Sequence, residues 1–327
     1  MDHLKVATWD ERYADAVVAL WNASAVRDGY KELTSASFAE TFTSNPYFDA
    51  ACTFVLLEDG EPKGFACGCK GADLPIGDVA GYVTCIVLAE GFGSDANRAV
   101  LLEAIEARFR ALGKRQSEVL FFNPMKLPWY IPGTPDHEHN NAPGVPVDAA
   151  LYPFLLDQGY ADRARQCAMY RTLADFEIPE DIRAKEAKAA EAGYRVELYD
   201  PARHTGLERM LAGLGNPAWE REIAACAAEG VPVVIAAHGA EAAGFAGPVV
   251  RQDNGRGYFA GIGVHPDHEG RGLGSILFFK LCEALRDVGA DYMSLFTGSN
   301  NPAIRIYEKA GFNTVRQFAI MRKELTQ

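Results

Sequence analysis

The sequence predicts a mixed α/β fold that is built twice, each half with a central mixed sheet and helices on both faces. Its 327 residues are enough for two domains of ordinary size. Short apolar runs with strand character alternate with amphipathic helical segments, a pattern that is typical of such sheets. The pieces of the first half recur in the same order in the second half, so two similar domains are expected.

The internal repeat is visible in four pairs of segments. They are GEPKGFACG (60–68) with GAEAAGFAG (239–247), YVTCIVL (82–88) with YFAGIGV (258–264), LYPFLLDQGY (151–160) with AIRIYEKAGF (303–312), and RQCAMYRTL (165–173) with RQFAIMRKEL (316–325). Between the halves, residues 175–193 are polar and then alanine-rich and charged, which is typical of a linker that continues into a helix. The predicted domains are therefore residues 1–178 and 179–327.

The second half divides into elements along the chain. Apolar runs next to turn signals predict strands at residues 194–200, 231–238, 242–250, 257–264, 292–297 and 316–325. Helical spacing predicts two helices up to residue 229, broken at Gly215–Pro217, and further helices at 272–288 and 302–311. Meander strands followed by alternating helices and strands favour a mixed sheet.

The amino-acid composition and net charge of the chain limit the classes of binding partner that we expect. Lys and Arg total 32 against 44 Asp and Glu, a net charge of −12 without a basic cluster, so nucleic acid is not expected as a partner. No run approaches the roughly 18 apolar residues of a membrane span, and the N-terminus lacks a secretory pattern. Seven scattered cysteines favour buried thiols in a reducing compartment. We expect a soluble cytoplasmic chain, monomer or homodimer.

A glycine-rich helix start is the clearest candidate binding feature. It lies in VHPDHEGRGLGSILFFKLCEAL (264–285), and its glycines are Gly270, Gly272 and Gly274. Glycines let a ligand approach the backbone, while the first helical turn offers unpaired N–H groups and a positive dipole end. This combination suits a phosphate or diphosphate, with Arg271 and Ser275 adding a charge and a hydroxyl. A glycine-rich helix entry without a ligand is the alternative.

Two other phosphate-binding motifs do not fit this segment. The dinucleotide fingerprint requires glycine where this chain has Ser275, and the ATP-binding loop requires a lysine that is missing after the glycines. A second motif, NNPAIRIYEKAGF (300–312), follows the next strand. Together with EGRGLG (269–274), it resembles the GNAT acetyltransferase superfamily, in particular the tandem branch that includes mycothiol synthase.

The resemblance implies acetyl-CoA as co-substrate, with its diphosphate on the backbone N–H groups of residues 269–275. Glu269 departs from the family, which usually has Gln or Arg there. The resemblance further implies that Ile262 to Val264 pair with the pantetheine arm, that Asn300 contacts the cofactor, and that Tyr307 protonates the leaving thiolate. Asn300 as a helix N-cap and Tyr307 as a core aromatic are the structural alternatives.

The implied reaction is direct acetyl transfer to a primary amine of a small molecule, with the second domain catalytic. The amine must lose a proton. Ala260 occupies the position where the family often has a glutamate, so the base stays open among Glu220, Glu222, His265 and Tyr258. The alternatives are a mycothiol-synthase-like acetylation of a cysteinyl amino-sugar conjugate and a non-catalytic CoA-binding sensor. The sequence does not identify the acceptor.

The first half has lost the motif. Residues SDANR (94–98) stand at the repeat position of GRGLG, and Leu155 stands at that of Tyr307, so acetyl-CoA is not expected to bind there. This half also contains a long insertion at 123–147, predicted either as an apolar lip on an acceptor site, formed by Trp129 and Tyr130, or as a surface loop packed by its aromatics. No metal site is expected, although the insertion contains His137-Glu138-His139.

Overall fold

A computed structural model describes residues 4–119 and 124–325. The chain forms two compact units, one made of residues 1–167 and 316–327 and the other of residues 168–315. The predicted boundary at residue 178 does not coincide with this division. The physical reason is that the last strand of the chain completes the sheet of the first unit, so no single cut separates the units.

The first unit is a mixed sheet with helices. Its strands are β1 Leu4–Thr8, β2 Phe48–Glu58, β3 Glu61–Cys69, β4 Ala80–Leu88, β5 Gln116–Val119, β6 Trp129–Tyr130, β7 Glu138–His139, β8 Val145–Pro146 and the first part of β9 Ala161–Thr172, and its helices are α1 Ala14–Ser24, α2 Ser35–Phe38, α3 Asp95–Ala111 and α4 Leu151–Asp157. Strands β1 to β4 pair antiparallel in sequence order, and β4 pairs parallel with β5. This connection through α3 is the strand–helix–strand unit that the repeat predicted.

The insertion of the first unit is packed inside it. Of the predicted insertion, Asn123 lies outside the described residues, and residues 124–147 bury several large apolar side chains. Trp129 is 1% exposed, and its ring centroid lies 5.1 Å from that of Phe318. The interpretation of Trp129 as a lip on an acceptor site is therefore wrong, because the indole lies in the core of the unit.

The second unit contains the candidate site. Its helices are α5 Glu180–Glu191, α6 Leu207–Gly213, α7 Pro217–Ala228, α8 Leu273–Asp287 and α9 Ile304–Lys309, and its strands are β10 Tyr194–Leu198, β11 Val234–His238, β12 Glu241–Gly247, β13 Arg256–Gly257, β14 Gly261–Val264, β15 Tyr292–Gly298 and the start of β16 Asn313–Glu324. These bounds confirm the predicted elements except one. Within residues 4–119 and 124–325, no helix has both the length and the apolarity to cross a membrane.

The exception is the predicted strand at 257–264, which is divided between two sheets. β13 pairs parallel with β15, whereas β14 pairs antiparallel with β12 at the edge of the sheet β10-β11-β12-β14. Residues 258–260 connect the two strands and form a fork in the second unit. The Trp219 indole holds the fork from α7, since its Nε1–H donates to Ala260 O at 3.0 Å.

Candidate functional site

The candidate site begins at β14, whose outer edge is not paired with any strand among the described residues. His265, directly after β14, donates its N–H to Ala243 O at 2.8 Å. Successive residues of an antiparallel strand point their N–H and C=O groups to opposite sides, so those of Ile262 and Val264 point away from β12. These two predicted residues therefore offer backbone groups to an extended ligand that lies along the strand.

A row of unpaired amides follows β14. Residues 266–268 form a 3-10 turn, in which Glu269 donates its N–H to Pro266 O at 3.3 Å. Among the described residues, the next six N–H groups, those of residues 270–275, have no hydrogen-bond acceptor. Since α8 has 15 residues, its positive dipole end reinforces these donors. Of the predicted group, residues 269–275, Glu269 is therefore not an available donor, because its N–H is already hydrogen-bonded to Pro266 O.

The glycines among residues 270–275 leave space in front of these amides. Gly272 stands at the N-cap of α8 with φ of +76°, and it contributes no side chain to cap the helix. Gly270 also has a positive φ, with nothing within 4 Å of where a Cβ would be, while a Cβ at Gly274 would lie 3.7 Å from Ile306 Cδ1. Ser275 is half-buried in the first turn. An anion can therefore reach the amides without meeting a side chain from these glycines.

Two cations lie beside the amides. The Arg271 guanidinium lies 5.6 Å from the centre of the Tyr194 ring and donates to the carbonyls of Asp267 and Glu269, at 3.2 and 3.1 Å. Lys185 of α5 is exposed, and its Cδ would lie 3.9 Å from a Cβ at Gly272. Neither side chain has a carboxylate partner within the described part of the chain. Sequence reasoning missed Lys185, because nothing in the chain marks which residue of a distant helix packs beside the glycines.

Histidines surround the same turn. His268 Nδ1 and the Tyr194 hydroxyl are 2.8 Å apart, and the His268 ring centroid lies 6.0 Å from that of His238 and 6.1 Å from that of His265. Burial, together with the neighbouring side chains of His265, Arg271 and His238, lowers the pKa of His268. At neutral pH this ring is therefore uncharged, and positive charge at the turn comes from Arg271 and Lys185.

Tyr307 combines a buried ring with a free hydroxyl. It is 4% exposed on α9, and its ring lies 4.7 Å from that of Phe278 and 6.3 Å from that of Phe259, centroid to centroid. Among the described residues its hydroxyl has no hydrogen-bond partner. Burial raises the pKa of Tyr307 to about 12, so the phenol keeps its proton at neutral pH. The ring of Tyr307 is thus packed among aromatic residues, and its hydroxyl is available as a hydrogen-bond donor next to the fork.

Asn300 does not cap α9. The residue after it, Asn301, accepts the N–H of Ala303 through Oδ1 at 2.9 Å. Asn300 is exposed, and its side chain makes no hydrogen bond to the described residues. The alternative interpretation of Asn300 as the N-cap is therefore wrong, and its amide group is available to a ligand.

The four candidate bases have different surroundings. The Tyr258 hydroxyl donates to Glu222 Oε1 at 2.7 Å, joining the fork to α7. Burial and this carboxylate raise the pKa of Tyr258, which keeps the phenol protonated. Glu220 is exposed, and His265 Nδ1 accepts the N–H of Asp267 at 3.3 Å at the opposite end of β14. Of the four, Glu222 is the half-buried carboxylate that is hydrogen-bonded to the fork.

The corresponding helix of the first unit is built differently. Ser94 caps α3 by accepting the N–H of Asn97 at 3.2 Å, and Asp95 binds Arg98 at 2.7 Å. Leu155, at the repeat position of Tyr307, is fully buried on α4. A capped helix start with a carboxylate in its first turn is unsuited to a diphosphate.

One comparison with known proteins matches a family model to residues of the second unit. The model of the Acetyltransferase (GNAT) family matches residues 199–312. A mycothiol acetyltransferase of Saccharomonospora viridis is 44% identical over 55 residues, which are 16% of this chain and 18% of that protein. The matched segment is therefore a small part of that relative.

Solved structures of the fold cover nearly the whole chain. A GCN5-related N-acetyltransferase from Sphaerobacter thermophilus covers 99% of this chain and 96% of its own, at a TM-score of 0.63 and 16% identity. The match to a tandem GNAT protein from the clavulanic acid biosynthesis pathway covers 99% of both chains, with a TM-score of 0.59 and 14% sequence identity. The match to a structure with a glucosamine N-acetyltransferase region, from a fungal multi-domain β-N-acetylglucosaminidase, has a TM-score of 0.68 and 15% sequence identity. It covers 98% of this chain and 38% of that one. The predicted mixed α/β fold is confirmed, and residues 199–312 are similar to the Acetyltransferase (GNAT) family.

Proposed function

We propose that the protein is an acetyl-CoA-dependent N-acetyltransferase that transfers the acetyl group directly to a primary amine of a small molecule, with the second unit catalytic. The observation that carries the proposal is the row of six unpaired amides at residues 270–275, directly after a strand with an open edge. The amides and the positive end of α8 suit the diphosphate of the co-substrate.

The same geometry orients the rest of the co-substrate. With the diphosphate at the start of α8, the pantetheine arm lies along β14, where Ile262 and Val264 provide N–H and C=O groups. The four residues of β14 rise about 13 Å. The arm then directs its thioester toward the fork at 258–260, where Phe259 contacts Tyr307.

The chemistry at the fork is nucleophilic attack of the amine on the thioester carbonyl. The C–N bond forms, the C–S bond breaks, and the sulfur leaves as a thiolate. Tyr307 donates a hydrogen bond to this sulfur, because its hydroxyl is protonated and has no partner of its own among the described residues. No step passes through the first unit.

Assays of CoA thiol release with a panel of amines test the proposal. The panel includes glucosamine, tyramine, spermidine and a cysteinyl amino sugar. The last amine tests a second candidate, mycothiol-type acetylation, which the segment of 44% identity supports. We expect release with at least one amine. Binding of acetyl-CoA without release for any amine would instead indicate a CoA sensor.

Acetyl-CoA is expected to bind at one site per chain. The second unit has the unpaired amides, whereas the first has the Ser94 cap and Asp95 at the equivalent helix start. Calorimetric titration of the full chain measures the stoichiometry. Two equivalent sites per chain would contradict the assignment of binding to the second unit.

Lys185→Ala is expected to raise the Kd for acetyl-CoA about 1.4- to 5-fold, since an exposed charge contributes roughly 0.2–1 kcal/mol. The matched control is Lys188→Ala on the same helix, because Lys188 is also exposed and is not among the neighbours of Gly272. Titrations at low and high salt provide the measurement. The difference between the two variants should shrink with added salt, and equal Kd values at low salt would exclude a role for Lys185.

A further inference from the structure

One carboxylate of α7 is hydrogen-bonded to the fork and makes no other side-chain hydrogen bond to the described residues. Glu222 lies half-buried on α7, and among the described residues its one side-chain hydrogen bond is the one that Oε1 accepts from the Tyr258 hydroxyl at 2.7 Å. Within the described part of the chain, no donor is hydrogen-bonded to its second oxygen, Oε2. A half-buried carboxylate oxygen in this state can accept a hydrogen bond from an ammonium group or a proton from an amine.

The position of Tyr258 brings this carboxylate to the place where the thioester is expected. Tyr258 and Phe259 are neighbours in the fork, and their side chains contact different elements of the second unit. Phe259 contacts Phe278 and Tyr307, the residue proposed to face the leaving sulfur, while Tyr258 donates to Glu222 of α7. Two adjacent residues of the fork thus connect Glu222 of α7 with Tyr307 of α9. A transfer of this kind uses one group that accepts a proton and one that donates to the leaving group.

On the basis of the proposed function, we propose that Glu222 accepts the proton of the acceptor amine, with Tyr258 as its positioning residue. The amine enters as an ammonium ion and forms an ion pair with Glu222. A proton first passes from the ammonium nitrogen to the Glu222 carboxylate, which leaves a neutral amine with a lone pair. This nitrogen bonds to the thioester carbon and the C–S bond breaks, so that the sulfur leaves as a thiolate with a hydrogen bond from Tyr307. A second proton then passes from the nitrogen to the thiolate, which gives the CoA thiol. Glu222 then releases its proton to water, so that the products are the acetamide, the CoA thiol and a proton.

The groups around Glu222 fit this role. The Tyr258 phenol stays protonated because burial and the carboxylate raise its pKa, so it donates to Glu222 and does not itself act as the base. Cys226, one helical turn along α7, is a thiol whose pKa is raised by burial and by Glu222. Arg256, whose charge acts against the rise in the pKa of Tyr258, is buried and donates to Ser294 Oγ at 2.7 Å. No cation pairs with Glu222 in the described residues, which leaves its charge for a cationic substrate.

The test compares Glu222→Gln with Glu229→Gln, an exposed glutamate at the end of the same helix. The probe is whichever of glucosamine, tyramine, spermidine and the cysteinyl amino sugar the wild type acetylates fastest. We expect Glu222→Gln to lower kcat about 100-fold or more, with the Kd for acetyl-CoA within twofold of wild type. Glu229→Gln should leave both values unchanged.

Tyr258→Phe separates positioning from a purely structural role. Removing the phenol deletes the hydrogen bond that orients the Glu222 carboxylate, so kcat should fall while the Kd for acetyl-CoA stays within twofold of wild type. A loss of acetyl-CoA affinity together with kcat would show that Tyr258 is only structural and would contradict its positioning role.

The possible failures are distinguishable. A Glu222→Gln variant with the kcat and pH profile of an active wild type would overturn the assignment of Glu222 alone, and so would a variant that loses acetyl-CoA binding. A wild type that binds acetyl-CoA but acetylates no amine of the panel would overturn the proposed function, and this assignment with it.

Discussion

Replacing Gly274 with glutamate will abolish acetyl-CoA binding while leaving the fold intact. Gly274 lies in the first turn of α8, where a Cβ has room, with Ile306 Cδ1 as its nearest neighbour at 3.7 Å. The added carboxylate would occupy the approach to the amides and repel the diphosphate. Hydrogen bonds to charged groups contribute about 1.5–3 kcal/mol each, so loss of two should raise the Kd more than 100-fold. Calorimetry with acetyl-CoA measures the effect.

Gly274→Ala is the matched control at the same position. Alanine in a helix is more favourable than glycine by roughly 0.5–1 kcal/mol, so this variant should melt at or above the wild-type temperature. Its methyl group should weaken binding far less than glutamate does. Retention of wild-type affinity by Gly274→Glu would place the diphosphate elsewhere and contradict the use of residues 270–275 as its site.

Tyr307→Phe is expected to lower the rate of acetyl transfer about 100-fold with little change in acetyl-CoA affinity. The hydroxyl helps only as charge develops on the sulfur, so its removal affects the transition state more than the bound ground state. General acids contribute about 10²–10⁴-fold. We place Tyr307 at the low end, because burial raises its pKa to about 12 and makes complete proton transfer to a thiolate unfavourable.

Single-turnover transfer at saturating acetyl-CoA is the decisive measurement, since slow product release would hide the effect in kcat. Phenylalanine keeps the ring between Phe278 and Phe259, so the melting temperature should change little. Equal single-turnover rates for wild type and variant would show that Tyr307 is only a core aromatic.

The sequence was informative wherever the relevant contacts are local. Helix α8 and its glycine-rich start follow from spacing along some twenty residues, and the structure has that helix at Leu273–Asp287. In the described residues no side chain caps this helix, because glycine stands at the N-cap, and that too is a local property. The role of residues 269–275 toward acetyl-CoA stays a prediction.

Other features depend on tertiary contacts that no local pattern encodes. Lys185 reaches Gly272 because α5 packs beside α8, and Glu222 reaches Tyr258 because α7 covers the fork. The strand predicted at 257–264 has continuous strand character, yet its two ends find partners in different sheets. Periodicity reports that a segment is extended, but it does not report which strand pairs with it.

The return of β16 to the first unit constrains the order in which the chain can fold. Met321 pairs with Val119, so the partner of β5 is synthesised about two hundred residues later. While the second half is being made, β5 can pair with β4, but β16, its partner on the other side, does not yet exist. An open strand edge is prone to pair with the wrong chain. Synthesis of β16 therefore closes that edge, and a nascent or truncated chain ending before residue 316 would expose it.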